Sequence, residues 1–460
     1  MKIEFVNHAS FIIESEGVRL ITDPWLGGTS FDNGWRLLSK TALPYEAWHS
    51  ITHLWFSHEH PDHFSPFCIR KIPEEARKNI TVYFQETGDR KVVEYCKKMK
   101  FKDVIEMPRG KTYQLAPNVE IMCYDWVGFD DSWCYIKTPQ GTLLNLNDCT
   151  VNTIDEMKYI KDIVGEVDVL CTQFSISAWD GNIDELDRRL DGSRIMLERT
   201  VNQTNIFKAK YVIPFASYIW FCHEENSYMN QAFLPIEEIA STLQEKTEAQ
   251  LLMMYPGDTW TIGETFDHTP ALARYKEDQD SISTRPLFKA DKVAEDELIR
   301  ESHAYCRKIA KDASPSKLRM HLAKKLVHYR RQRDDSHWGL GKRLDALLAM
   351  MTLQCEPARI HVTDLNKSYL FDIFQGLRST SLTEDECDVA VGSQALFYSF
   401  KFLWGGETLH INGRFRRILA NDRGPLFHFY SLAGEQNAGK PVTWKTLPGD
   451  LKKKLGLGSS

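Results

Sequence analysis

The sequence predicts an α/β protein of more than one domain. Three observations carry this. Short β-type runs alternate with helical stretches through residues 1–266, a charged and strand-poor stretch covers 267–357, and alternation returns over 358–460. A length of 460 residues also exceeds what one ordinary core organises.

In chain order, "KIEFVNH", "SFIIES", "VRLITD" and "ITHLWFS" are strands, each broken off by Gly, Asp or Ser. "ITVYFQ" and "VEIMCYDWV" follow, and "SWCYIKT" and "TLLNLND" flank "PQG" as a hairpin. Helices are expected over Pro66–Lys78, where Ser65 caps and Pro66 fills the first turn, and over Arg90–Met99. "DVLCTQFS" and "AKYVIPFAS" are further buried strands, with a helix over Ile183–Phe207 between them. The 267–357 segment, with "KVAEDELIRESHAYCRKIAKDAS" and the basic run "KKLVHYRRQR", is expected to be a charged helical connection. The segment from Ala358 is expected to be a small α+β domain.

The formal net charge is −6 and the pI about 6.2, which argues against a nucleic-acid binder. No apolar run approaches the ~20 residues a membrane helix needs. The N-terminus alternates like a strand rather than like a secretion signal. A cytoplasmic protein acting on a small molecule, without nucleic-acid or membrane partners, is the expectation. The ten cysteines form no CxxC pair and are expected to be free, mostly buried thiols.

The chemistry concentrates in "SHEHPDHF", which sets His58, His60, Asp62 and His63 within six positions. The stretch follows one expected strand and precedes the helix capped by Ser65, so it forms a loop at a strand's C-terminal end, where sites of layered α/β folds commonly lie. Imidazoles and carboxylates are ligands for zinc, iron and manganese. His58 and His60 can converge on one ion, and Asp62 and His63 can face a second.

The His-x-His-x-Asp-His spacing, with "VNHASFII", "ITDPWL" and "NDCT" in the same order, resembles the metallo-β-lactamase superfamily. That resemblance implies a four-layer αββα sandwich over 1–266 and a dinuclear metal site at one edge of its sheets. It also implies a bridging carboxylate, matched by Asp148, and a late histidine ligand, matched by His223. One expected histidine is missing, because "YDWVGFDDSWCYI" contains none. Asp131 is the first substitute, with Asp130 and Asp125 in reserve. One metal would then take His58, His60 and Asp131, and the other Asp62, His63 and His223, with Asp148 shared. A carboxylate in place of an imidazole favours iron or manganese. Asp23 is expected to orient a ligating histidine through its ring N–H, the alternative being a plain turn carboxylate. His8 is expected either to serve the site or to be a buried, satisfied histidine. Trp25, Trp35, Trp126, Trp133, Trp179 and Trp220 border the site in sequence, mostly as loop anchors.

From Lys2 to Trp260, "FVNHASFII", "DPWLGGTSFDNGWRLL", "FSHEHPDHFS", "LNLNDCTVNT", "YVIPFASYIWFCHEENSYMN" and "YPGDTW" resemble the CMP-N-acetylneuraminic acid hydroxylase branch. That hydroxylase carries a Rieske module, which needs Cys-x-His pairs. No Cys-x-His occurs in this sequence, so sialic acid hydroxylation does not carry over. The favoured expectation is a diiron oxygenase or oxidase with O2 as co-substrate and a separate reductase as electron source. The alternatives are a zinc- or manganese-dependent hydrolase of the lactonase or phosphoesterase type, and a non-catalytic metal-binding scaffold. "DVAVGSQALFYSFKFLWGGETLHINGRFR" resembles sterol-carrier-like modules, which makes 358–460 a small α+β domain of that kind.

Overall fold

A computed structural model describes residues 1–126, 131–312, 318, 357–419 and 425–437. The chain parts into two compact units. One holds Met1–His223 with Ser227–Phe288, and the other holds Glu224–Asn226 with Lys289–Ser460. The helix Thr269–Ser281 lies in the first unit and buries Ala271 and Tyr275.

Two seven-stranded sheets build the first unit. The first runs in the order Thr259–Thr261, Lys2–Asn7, Ser10–Ser15, Val18–Thr22, His53–Phe56, Thr81–Gln85 and Asp103–Met107. Its pairing is antiparallel as far as Val18–Thr22 and parallel beyond. The second runs Thr112–Ala116, Val119–Asp125, Ser132–Thr138, Gly141–Asn147, Val169–Gln173, Tyr211–Phe215 and Gln250–Leu251. It too passes from antiparallel to parallel, at Gly141–Asn147. The expected hairpin forms, with Thr138 opposite Gly141 around Pro139 and Gln140.

The two-residue period of the strands sorts apolar side chains into three cores. Ile3, Phe5, Phe11, Ile13 and Leu20 meet Ile121, Cys134, Ile136, Leu143 and Ile213 between the sheets. The alternate residues Val6, Ile12, Ile21, Leu54 and Val82 face outward, onto Ile69, Ala76, Val92 and Val93 of the helices Pro66–Ile69, Glu74–Arg77 and Lys91–Lys98. On the far side Leu144, Leu146 and Leu170 meet Met157, Ile160 and Phe207 of the helices Ile154–Val164 and Leu186–Phe207. The order of layers is helix, sheet, sheet, helix, as the resemblance implies.

One expected helix differs. Pro66–Lys78 is two short helices, Pro66–Ile69 and Glu74–Arg77, because Pro73 has no N–H to donate and starts the second helix in an extended conformation. The nine described cysteines are free and buried, and all six tryptophans named above are buried. No helix among the described residues is long and apolar enough to cross a membrane. Asp130 and the run "KKLVHYRRQR" lie outside the described residues.

The second unit has a five-stranded sheet in the order Gly376–Thr380, Lys367–Asp372, Ala358–Val362, Val389–Val391 and Phe415–Arg417. Its apolar face carries Phe371, which packs on Phe400 of the helix Ser393–Lys401 at 4.8 Å between ring centroids. Where "ETLHINGRF" alternates in sequence, the chain instead forms the helix Gly405–Asn412, ended by Gly413 at φ +65°, before the strand Phe415–Arg417. The Arg414 side chain is fully buried in this unit. Its Nε donates to Glu225 Oε2 at 2.7 Å and its Nη2 to Gln394 Oε1 at 2.9 Å. Removing one member of such a pair leaves the other charge without compensation. Arg414→Met is therefore expected to cost about 3–5 kcal/mol of stability, measured by urea unfolding. A loss below about 1 kcal/mol would mean that Glu225 is solvated without its partner.

Candidate metal centre

The metal motif is held at its root by Ser57, the first residue after the strand His53–Phe56. Ser57 N donates to Asp23 Oδ1 at 2.8 Å, and its carbonyl accepts from Gln85 Nε2 at 3.0 Å and from Ser132 Oγ at 2.6 Å. Both sheets thus grip the same residue. His58, Asp62 and His63 are buried, and His60 is half-buried. The turn closes by His63 N and Phe64 N donating to the His60 carbonyl, at 3.0 and 2.8 Å.

One nitrogen of each buried imidazole in the motif is tied back into the fold. His58 Nδ1 lies 2.8 Å from Ser57 Oγ, and His63 Nδ1 lies 3.2 Å from Asp23 Oδ2. The Nε2 atoms of both rings are thereby turned toward carboxylates. His58 Nε2 lies 3.7 Å from Asp148 Oδ2 and 3.8 Å from Asp131 Oδ1. His63 Nε2 lies 3.4 Å from Asp148 Oδ2 and 3.4 Å from Asp62 Oδ2. Asp62 Oδ2 is also 3.2 Å from His8 Nε2.

Two groups of ligand atoms result, each with its members within 4.8 Å of one another. One is His8, Asp62 and His63, and the other is His58, His60 and Asp148. His8 is thus placed against Asp62 and His63. Asp131 lies beside His58, brought there by Ser132, whose hydroxyl bonds the Ser57 carbonyl. Asp125 is turned away, half-exposed, with a carboxylate oxygen 3.3 Å from Arg109 Nε. His223 is buried and begins the turn closed by Ser227 N on its carbonyl at 2.9 Å, but it stands in neither group.

The backbone is shaped for this meeting. His8, Asp23 and Asn147 have φ of +45°, +36° and +57°. A bulge interrupts the pairing next to two of them, between Phe5 and Asn7 and between Asn145 and Asn147. Bulges re-aim the side chains that follow, and left-handed non-glycine residues cluster at functional sites. Asn147 Nδ2 donates to Asp23 Oδ2 at 2.7 Å, so the strand carrying Asp148 is tied to the residue that orients His63.

The electrostatics match a cationic occupant. Burial raises the pKa of Asp62 and Asp148, but the surrounding histidines outweigh it and hold both below the usual carboxylate range. Burial lowers His63, and the Asp62 and Asp148 carboxylates overturn that and lift it well above the usual histidine range. Burial dominates at His58, which is held well below it. Asp62 Oδ1 and Asp148 Oδ1 are buried without a hydrogen-bond partner. Orphaned acceptors beside paired acids are costly unless a cation satisfies them. The residues present therefore fit two metal ions.

Several residues at this centre escaped the sequence reading. Ser57, Ser132, Asn147, Arg199 and Gln203 are buried, hydrogen-bonded supports. The one available signal was polar residues on the inward face of the helix Leu186–Phe207, where Arg199, Thr200, Gln203 and Thr204 replace an apolar stripe.

Residues 2–122 match the protein-family model described as the beta-lactamase superfamily domain. The chain is similar to the cytidine monophosphate-N-acetylneuraminic acid hydroxylase of Xenopus laevis, 28% identical over 155 residues, covering 33% of this chain and 26% of the relative. It is also similar to the hydroxylase of that name from Cricetulus griseus, 22% identical over 279 residues, covering 57% and 48%. The chain thus spans less than half the length of either curated relative. Among solved structures it is similar to CmlA, a diiron beta-hydroxylase from Streptomyces venezuelae, with 15% sequence identity and a TM-score of 0.38, covering 57% of this chain and 54% of that one.

Proposed function

We propose that this chain, whose first unit has the metal-binding metallo-β-lactamase fold and is related to the CMP-N-acetylneuraminic acid hydroxylases, is a dinuclear metalloenzyme, and that it is an O2-dependent diiron oxygenase or oxidase acting on a small molecule. The observation that carries this reading is Asp131. A carboxylate rather than an imidazole stands 3.8 Å from His58 Nε2, which makes the donor set harder and more anionic and suits iron better than a nitrogen-rich set. His58, His60 and Asp131 would hold one ion, Asp62 and His63 the other, with His8 or His223 completing it and Asp148 shared. Two irons there would supply the affinity for O2 and the redox capacity that side chains lack. Electrons would come from a separate reductase or from the substrate.

The polypeptide's own part is to orient and to keep water out. Asp23 and Ser57 fix the ring planes of His63 and His58. Trp25 stands edge-on to His8 with centroids 5.6 Å apart, and Phe31 edge-on to His60 at 5.8 Å, so two apolar rings screen the cluster. His8 Nε2 lies 3.2 Å from Asp62 Oδ2, so where His223 rather than His8 completes the second ion's ligands, His8 can hold Asp62 in place.

A second reading, a zinc- or manganese-dependent hydrolase, draws on the His8, Asp62 and His63 group. Two imidazoles and one carboxylate are a donor set that zinc accepts readily. Protein purified from iron-supplemented cells separates the two. The oxygenase reading expects about two irons per chain, a visible charge-transfer absorption and O2 uptake in the presence of reductant. Stoichiometric zinc, no colour and no O2 uptake would overturn it in favour of the hydrolase.

A further inference from the structure

The helix Leu186–Phe207 presents an unusual inward face. Arg199 is 6% exposed and Gln203 is 0% exposed, one helical turn apart. Arg199 makes no ion pair within 4 Å among the described residues, and its fork ends on neutral oxygens. Its Nη1 donates to Asn152 Oδ1 at 3.1 Å, and its Nη2 to Gln173 Oε1 at 3.0 Å and to the Gln173 carbonyl at 3.5 Å. Gln203 repeats the span. Its Nε2 donates to the Val151 carbonyl at 3.0 Å, and its Oε1 accepts from Thr172 Oγ1 at 2.6 Å. Thr200 Oγ1 adds a bond to the Gln173 carbonyl at 3.0 Å.

Every one of these bonds joins one of two places. One is the end of the strand Val169–Gln173, and the other is the turn that follows Asp148. Among the described residues that turn's backbone pairing is Cys149 N to Leu146 O at 3.1 Å and Val151 N to Cys149 O at 2.8 Å, with Thr150 O accepting from Trp126 Nε1 at 3.3 Å and Asn152 N donating to Glu156 Oε2 at 2.9 Å. A buried cation without a carboxylate partner is costly. Burial pushes the Arg199 guanidinium down to about 10 against the opposing pull of Asp148, so the charge is kept in the interior at a cost. Packing alone would have been served by leucine or methionine. A planar, five-donor fork is instead suited to fixing two acceptors at set angles.

We propose that Arg199 and Gln203 are positioning residues that clamp the Asp148 turn to the strand end at Gln173, and so set the direction of the Asp148 carboxylate between the two metal positions. The clamp rests on the reading of Asp148 as a metal ligand. It requires Arg199 for its geometry rather than for its charge.

Cobalt(II) titration of the chelated 460-residue chain tests this, because cobalt's visible absorption reports coordination independently of turnover. Asp148→Ala serves as the reference. Arg199→Gln is expected to bind cobalt about 10–100-fold more weakly than wild type and with an altered spectrum, the range seen when an outer hydrogen bond to a ligand is lost. Arg199→Lys should recover part of the affinity without the wild-type spectrum, since an ammonium cannot span both acceptors. Asn152→Ala removes one end of the clamp at an exposed residue and keeps the buried arginine, so it covers the case in which the Arg199 variants do not fold. It should shift the spectrum in the same sense, with a smaller loss of affinity. If Asp148→Ala weakens cobalt binding while Arg199→Gln and Asn152→Ala match wild type in affinity and spectrum, the clamp is wrong and the ligand assignment survives. If Asp148→Ala itself matches wild type, the ligand assignment is wrong and the clamp falls with it.

Discussion

Asp148→Ala is expected to empty both metal positions, not one. Asp148 Oδ2 lies 3.7 Å from His58 Nε2 and 3.4 Å from His63 Nε2, so one carboxylate serves an imidazole of each ligand group. Asp62 lies against His8 and His63, and Asp131 lies beside His58. Two divalent ions held a few ångströms apart repel each other, and a shared anion is what makes the pair tolerable. Without it the second ion loses a ligand and gains an uncompensated neighbour, so the loss is cooperative. Metal content should fall from about two ions per chain to a small fraction of one, with a loss of activity of order 10³-fold or more. Metal analysis after gel filtration checks the first figure and turnover the second. Retention of both ions at wild-type affinity would sink the shared-ligand assignment.

Legibility of the site tracked locality in the chain. His58, His60, Asp62 and His63 were visible because one loop carries them all, and Ser65 at the following helix start confirms its own reading by accepting from Cys68 N at 3.4 Å. The strands were visible as short β-type runs, and the structure shows Ile12 and Ile13 facing opposite sides of their sheet. Sequence ranked Asp131 ahead of Asp125 by its place at the start of the hairpin strand. Asp125 ends one strand and Asp131 precedes the next, and the structure turns Asp131 toward His58 and Asp125 toward Arg109. Sequence could not find Ser57 or Ser132, which meet across 75 residues. The pairing of His8 with Asp62, 54 residues apart, is likewise a product of topology. Pro73 and the polar inward stripe of the helix Leu186–Phe207 were overlooked local signals, the first because a helix crossing a proline loses a hydrogen bond whatever the surroundings.

Asp23 offers the second large effect, through both stability and metal affinity. Its carboxylate is 1% exposed and collects three groups, with Oδ1 on Ser57 N at 2.8 Å and Oδ2 on Asn147 Nδ2 at 2.7 Å and His63 Nδ1 at 3.2 Å. Alanine would leave a buried amide N–H, a side-chain amide and an imidazole N–H unanswered, and the φ of +36° adds a steric penalty for a residue with no polar group to exploit it. Asp23→Ala is therefore expected to cost about 3–5 kcal/mol in urea unfolding of the chelated protein. Asp23→Asn separates geometry from charge. Asparagine tolerates the left-handed backbone, and its carbonyl can still accept from Ser57 N. Its NH2 would then face the donors of Asn147 and His63, which either repels them or forces His63 into the other tautomer, with its proton on the metal-facing Nε2. The asparagine variant should thus keep most of the stability that alanine loses, yet bind metal about 10–100-fold more weakly than wild type. Wild-type affinity in Asp23→Asn would mean that His63 finds its orientation without Asp23, and the carboxylate would then be a turn residue whose only work is to hold Ser57.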